Sequence, residues 1–173
     1  MVLPKNTRLF LVSFLIIFTL FTLDIFTKRL AFASVDEIIY KTSGIHTHIR
    51  INDYFNIVKV INNGVSFGMF NNLKYGQIIL SVVTAGIIGF LFYLLYKNDR
   101  KYSLFVYSIV IAGGFGNLYD RIIYGGVFDF LDFHIGEYHW PAFNVADSLI
   151  CIGVCMIFLD DVIKHIKNKN NKI

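Results

Sequence analysis

Asp129 and Asp147 are the residues whose placement most suggests chemistry. Asp129 lies in Gly126-Val127-Phe128-Asp129-Phe130, and Asp147 closes Phe143-Asn144-Val145-Ala146-Asp147 at the head of an apolar run. Carboxylates beside hydrocarbon are costly and persist where they have a task or a partner. Two of them at close range raise one proton affinity, so the pair holds a shared proton. Amide hydrolysis needs such a pair. One carboxylate takes a proton from water, while its protonated partner polarises the scissile carbonyl or assists the leaving nitrogen. Each residue also has a plainer reading. Asn144 is placed to cap a helix, and Asp147 shares its face but sits one turn too deep for a simple cap. Asp129 could be a turn aspartate, a purpose that Asp132 would serve equally. Their common position at one membrane boundary favours the acid pair, and the expectation is an aspartic peptidase acting at the membrane.

Such a pair needs elements to hold it, and the composition says of what kind. The 173 residues are 55% apolar and 17% aromatic, with a mean hydropathy of +0.59. That suits a polytopic α-helical membrane protein rather than a soluble domain. Four transmembrane helices are expected at about 7–29, 75–96, 102–120 and 143–163, each near the ~20 residues that cross the hydrocarbon. The first reads as a retained helix and not a cleaved leader, since no clear small-x-small site follows it directly. Gly113, Gly114 and Gly116 weaken the propensity of the third and permit close packing in a membrane. Lys5 and Arg8, then Lys97, Arg100 and Lys101, then Lys164, Lys167, Lys169 and Lys172 all fall on one side of this topology. The positive-inside rule makes that side cytoplasmic and puts both termini there.

Two segments then face outward, about 30–74 and about 121–142. In the first, 46–51 and 55–61 partly alternate and carry β-branched residues, which predicts two short strands. The second carries Asp129 and ends at Trp140-Pro141, where an interfacial aromatic precedes a helix start. One membrane domain over 1–173 is expected. The net charge of +4 sits between apolar runs, which argues against a nucleic-acid-binding face. His46 and His48 lack a third ligand, so no metal site is expected. No serine stands in a glycine elbow. Cys151 and Cys155, four apart on one helix, read as small packing groups rather than a disulfide.

The remaining polar residues read as support. Asp24 and Lys28 are spaced for an i,i+4 ion pair on the first helix. Asn117 stands one turn before Asp120, and Arg121 could pair with a carboxylate to hold the end of the third helix. Asn62-Asn63-Gly64 reads as a turn, with Gly64 and Gly68 able to admit a close backbone. A small transporter or scaffold subunit is the competing class. The acidic residues gather near one membrane face, and no inverted repeat is visible, which counts against transport.

Taken in order, these segments resemble the boxes of bacterial lipoprotein signal peptidase, or signal peptidase II. Asn62-Asn63-Gly64-Val65-Ser66-Phe67-Gly68 resembles its glycine box. Gly113-Gly114-Phe115-Gly116-Asn117-Leu118-Tyr119-Asp120-Arg121 resembles its Gly-Gly-x-x-Asn-x-x-Asp-Arg box. Val127–Phe130 and Phe143–Ser148 resemble the last two, and Asp24 with Thr27 and Lys28 resembles the helix-one signature. Ile25 and Phe26, Val65 and Ser66, and an enlarged outer segment around 34–50 depart from the usual pattern. The resemblance implies four transmembrane helices, an extracytoplasmic β-cradle, and a short amphipathic outer helix beside the site. It implies a catalytic pair of Asp129 and Asp147. Asp24, Lys28, Asn62, Gly64, Asn117, Asp120, Arg121 and Asn144 would support the site or bind there. It implies an aspartic endopeptidase without a cofactor, in the bacterial cytoplasmic membrane, with its site near the outer face. The expected partners are diacylglyceryl-modified prolipoproteins cleaved before the lipidated cysteine, membrane lipids, and globomycin-type cyclic peptide inhibitors.

Overall fold

The computed structural model describes residues 5–64 and 75–170. Its elements run α1 (Lys5–Lys41), β1 (Ile49–Asn52), β2 (Phe55–Asn62), α2 (Gly76–Lys97), α3 (Lys101–Tyr124), β3 (Val127–Ile135), β4 (Tyr138–His139) and α4 (Val145–Asn170). Three of the helices, α1, α2 and α3, are long and apolar enough to cross a membrane by length and composition. α4 is as long but carries Asp147, Asp160, Asp161 and Lys164. Large apolar side chains such as Phe14, Phe18, Val82, Phe90, Val154 and Phe158 are exposed on these helices. Helices that are apolar on their outer faces suit a lipid surround.

α3 is the hub. Most of it is buried, whereas α1 and α2 expose most of their length. Its three glycines each admit a different neighbour. A Cβ on Gly113 would stand 2.5 Å from the Ala146 carbonyl of α4, one on Gly114 would press on Ile88 of α2 at 3.0 Å, and one on Gly116 would collide with the Asp24 carboxylate of α1. The glycines that weaken the helix by propensity are therefore the contacts that assemble the bundle. Around them Ile17, Ile88, Leu91, Leu104, Ile109 and Ile111 form the buried core.

α1 runs twelve residues beyond the expected end at 29. Nothing in 30–41 breaks a helix, and the extension buries Ala31, Phe32 and Val35. It stops where Ser43 (φ 50°) and Gly44 (φ 82°) turn left-handed and the Gly44 N–H returns to the Ile39 carbonyl at 2.9 Å. At 37 residues and 1.5 Å per residue α1 is about 55 Å long, well over the ~30 Å hydrocarbon. Its last turns therefore exceed the length of one crossing and support the sheet. The outer segment is accordingly a helix to Lys41 before it is a sheet. The expected strand at 46–51 begins only at Ile49.

The four strands form one antiparallel sheet in the order β1-β2-β3-β4. It rests on α1 through Ala31, Phe32 and Phe130, with Phe32 stacked on Phe128 at 4.4 Å. The segment 121–142 holds no helix beyond the end of α3 at Tyr124; it is strand and hairpin. Gly125, at φ 72°, ends α3, and the alternation of Val127–Ile135 then favours a strand. A short outer helix is thus absent from that segment. The Val65–Gly68 half of the glycine box lies outside the described residues.

Gly113→Ala should overpack the α3–α4 contact, since the obstacle is backbone, and cost ~1–3 kcal/mol. A thermal unfolding midpoint in detergent equal to that of the parent chain would refute this account of the packing.

Candidate active site

A buried ion cluster lies at the end of the bundle that meets the sheet. The Lys28 ammonium sits 2.7 Å from Asp24 Oδ2 and 2.8 Å from Asp120 Oδ2. All three residues are almost wholly buried. The i,i+4 pair read from the sequence is present, and it is one half of a three-residue cluster joining α1 to α3. Asp120 therefore pairs with Lys28, not with Arg121. No ion pair of Arg121 occurs among the described residues; its Nη1 donates to the Asn117 carbonyl at 3.4 Å.

The cluster reaches into the neighbouring elements by hydrogen bonds. Asp24 Oδ1 accepts the Ala146 N–H of α4 at 2.8 Å. Asp120 Oδ2 accepts the Phe128 N–H of β3 at 3.2 Å. Lys28 donates to Asn117 Oδ1 at 3.2 Å. Through these, one cation fixes where α3, α4 and the strand carrying Asp129 begin or end.

Asn144 and Asp147 form a capping box at the start of α4. Asn144 Oδ1 accepts the Asp147 N–H at 2.9 Å, and Asp147 Oδ2 accepts the Asn144 N–H at 3.2 Å. Counting Asn144 as the cap makes Asp147 the third helical residue, which is the position from which a side chain reaches back. Asp147 is thus not too deep to cap, and its other oxygen is committed elsewhere: Oδ1 accepts Asn117 Nδ2 at 2.7 Å.

Asp129 is brought to this corner by the sheet. Phe143, just before the cap, pairs with Leu131 of β3, with hydrogen bonds of 2.9 and 3.1 Å in the two directions. Asp129 faces Val60 across β2–β3. Asn144 Nδ2 donates to its Oδ1 at 2.7 Å, and Asn62 Nδ2 donates to its Oδ2 at 3.0 Å. Asn62 is aimed by the Gly64 N–H, which its own oxygen accepts at 3.0 Å. One residue, Asn144, therefore touches both aspartates.

Three asparagines follow one rule. Each has its oxygen occupied by a donor, which turns the NH₂ toward a carboxylate: Asn62 through Gly64, Asn117 through Lys28, Asn144 through the Asp147 amide. A neutral donor holds a carboxylate without adding charge, and each oxygen keeps a lone pair for a proton or water. Asp129 is 1% exposed. Burial first, and the nearby Asp147 charge second, push its carboxyl up from 3.8 to about 7, against the opposing pull of Asn62, Asn144 and Lys28. Near neutrality Asp129 therefore still keeps part of its proton. Asp147 is half-buried and forms part of the wall of a cavity of about 530 Å³ with Trp140, Phe143, Ser148 and Cys151.

Every supporting residue read from the sequence falls in this assembly, with Arg121 at its edge. Asp132 does not. It lies three residues from Asp129 on one strand, hence on the opposite face, where His139 Nδ1 at 2.8 Å and Asn56 Nδ2 at 3.0 Å hold it. Burial raises its carboxyl, but these contacts outweigh that and hold it below the ordinary range. Sequence reasoning missed this trio; only the strand pairing of Asn56 with Asp132 reveals it. Cys151 and Cys155 are free and exposed on the outside of α4, so they do not pack inside the bundle.

A family model for signal peptidase (SPase) II matches residues 16–163. A lipoprotein signal peptidase from Thermodesulfovibrio yellowstonii is 42% identical over 142 residues, covering 81% of this chain and 87% of that protein. One from Francisella tularensis subsp. novicida is 35% identical over 158 residues, covering 89% and 90%. A solved chain described as a bacterial membrane enzyme structure by the in meso method at 2.3 Å resolution superposes with a TM-score of 0.68 at 30% identity, covering 94% of this chain and 92% of its own.

Lys28→Ala should leave two carboxylates buried without their cation and cost about 3–5 kcal/mol. The triple change Asp24→Asn, Lys28→Met, Asp120→Asn removes the charges together and should recover most of that loss. Unfolding midpoints in detergent compare the two. A triple variant no more stable than Lys28→Ala would show that charge is not what the cluster balances.

Proposed function

The chain belongs to the signal peptidase II family, membrane aspartic peptidases that remove signal peptides from prolipoproteins, and we propose that Asp129 and Asp147 are its catalytic pair. The observation that carries this is the shared contact through Asn144, which holds a half-buried carboxylate beside a buried one that retains its proton near neutrality. Asp147, on the cavity wall, takes the proton from water. Asp129 supplies a proton to the scissile carbonyl or the leaving nitrogen. Asn62, Asn117 and Asn144 position the two carboxylates; Lys28, held by Asp24 and Asp120, positions Asn117, and the Gly64 N–H positions Asn62.

Depth supports placing the pair at a membrane boundary. About 20 residues cross the hydrocarbon, and counted from Leu9 on α1 they end at Lys28, and from Tyr102 on α3 at Arg121. α4 starts its own crossing at Val145. In this reading all four long helices span the membrane, and the basic clusters hold both termini in the cytoplasm. The site then faces outward, where water is at hand. The sheet serves as a cradle for the substrate chain over this rim, and residues 1–173 work as one peptidase unit. The substrate is a diacylglyceryl-modified prolipoprotein, cut before its lipidated cysteine. A globomycin-type cyclic peptide occupies the same place.

Asp129→Asn and Asp147→Asn should each abolish cleavage of a diacylglyceryl-modified precursor peptide in proteoliposomes while the chain still inserts. Activity within a few-fold of the parent in either purified variant would reject the pair.

The pH dependence has a defined sign. The active form needs the proton on Asp129, so kcat/KM should fall about tenfold per unit as pH rises above about 7. The same proton stabilises the fold. Because the folded carboxyl sits above its ordinary 3.8, that contribution is complete below about 3.8 and is lost as pH rises through about 7. Asp129→Asn should flatten the dependence of stability on pH in this window. Unfolding midpoints measured from pH 4 to 8 that slope identically in parent and variant would contradict the assignment.

A further inference from the structure

Opposite the catalytic corner, the outer flank of α1 and α3 carries an arrangement that hydrolysis does not use. An almost wholly apolar cavity of about 400 Å³ lies between the two helices, lined among others by Phe14, Phe18, Phe21, Phe115, Tyr119 and Ile122. Its walls are lipid-facing residues, Phe14, Phe18 and Ile122 being among the most exposed apolar side chains of the chain. The volume lies within the ~300–1,000 Å³ of ordinary ligand sites.

A cation stands at its outer end. Arg29 Nη2 donates to the hydroxyls of Tyr119 at 3.3 Å and Tyr124 at 3.4 Å. Tyr119 is thus both a wall of the groove and a holder of the guanidinium. Its ring sits edge-on to Phe21 at 6.0 Å on one side and to Tyr124 at 6.1 Å on the other, so groove and cation form one continuous surface. Arg29 is exposed and, among the described residues, has no carboxylate within ion-pair distance, unlike its neighbour Lys28. Two hydroxyls engage one terminal nitrogen of a group that carries five N–H donors. The count that ends the α1 crossing at Lys28 places Arg29 at the level of lipid phosphates.

We propose that this groove is a binding site for one anionic glycerophospholipid. An acyl chain lies along the Phe14–Phe18–Phe21 face, and Arg29 holds the phosphate with the Tyr119 and Tyr124 hydroxyls as further partners. Charge selects the occupant. A guanidinium matches a phosphate bidentately, and one with no carboxylate in ion-pair distance among the described residues matches a headgroup of net charge −1 better than a zwitterionic one.

Native mass spectrometry of the full-length protein released from mixed micelles tests this, with phosphatidylglycerol and phosphatidylcholine of identical acyl chains in equal amounts. The parent chain should retain phosphatidylglycerol in preference. Arg29→Gln should reduce that preference roughly fivefold, the effect of about one basic residue at a lipid surface. Ile122→Trp, which fills the groove from an exposed position, should lower retention of both lipids while keeping the preference. The ratio is read within each folded variant, so a change in yield does not enter it. An unchanged preference in Arg29→Gln, or unchanged retention in Ile122→Trp, would overturn the site. So would displacement of the bound lipid by an equal concentration of inorganic phosphate, since the groove would then contribute nothing. Cleavage is not the readout, so the result stands apart from the assignment of the aspartates.

Discussion

The ammonium of Lys28, closed in between Asp24 and Asp120, is the contact on which the junction of bundle and sheet depends. Buried charge is costly and is retained where its geometry is needed. Here three elements take their position from it. Asp24 spends its second oxygen on an α4 amide, Asp120 also accepts the first turn of the β3 backbone, and Lys28 turns Asn117 toward Asp147. The cluster is thereby placed behind the proposed catalytic pair, with neutral amides between the two.

The glycines of α3 make that cluster possible. Without the space left at Gly116 the Asp24 carboxylate would have no room, and without Gly113 the first turn of α4 would stand off from α3. Packing and polarity are therefore one arrangement. Close helix contact excludes water, and exclusion of water raises the proton affinity of Asp129. The sheet completes it by carrying Asp129 on a strand whose register is tied to the α4 cap through Phe143.

Much of this was legible in the chain. Apolar runs mark the long helices to within a few residues at most ends, and the order of Asn62, Asn117, Asp129, Asn144 and Asp147 marks the corner where they meet. What was hidden depends on distance in sequence. Asp24–Lys28 is local and reads directly, whereas the partnership of Lys28 with Asp120 joins residues far apart and has no periodicity to betray it. The overrun of α1 to Lys41 was concealed because the length of one membrane crossing, not propensity, was taken to end it; no glycine or proline stands in 30–41, and Asp36 and Glu37 ride on the exposed side of the helix. The β3–β4 hairpin was not foreseen as strand, because β3 follows directly on α3 with only Gly125 and Gly126 between them.

The capping box joins two events usually kept apart. Asp147 latches the leading turn of α4 with one oxygen and is the proposed acceptor of a proton from water. An anion at a helix N-terminus is favoured by the exposed amides there, and neutralising it weakens that attraction. A carboxylate that both closes the cap and serves the proposed reaction ties the start of α4 to the chemistry, since neutralising it would loosen the turn of the helix that carries it.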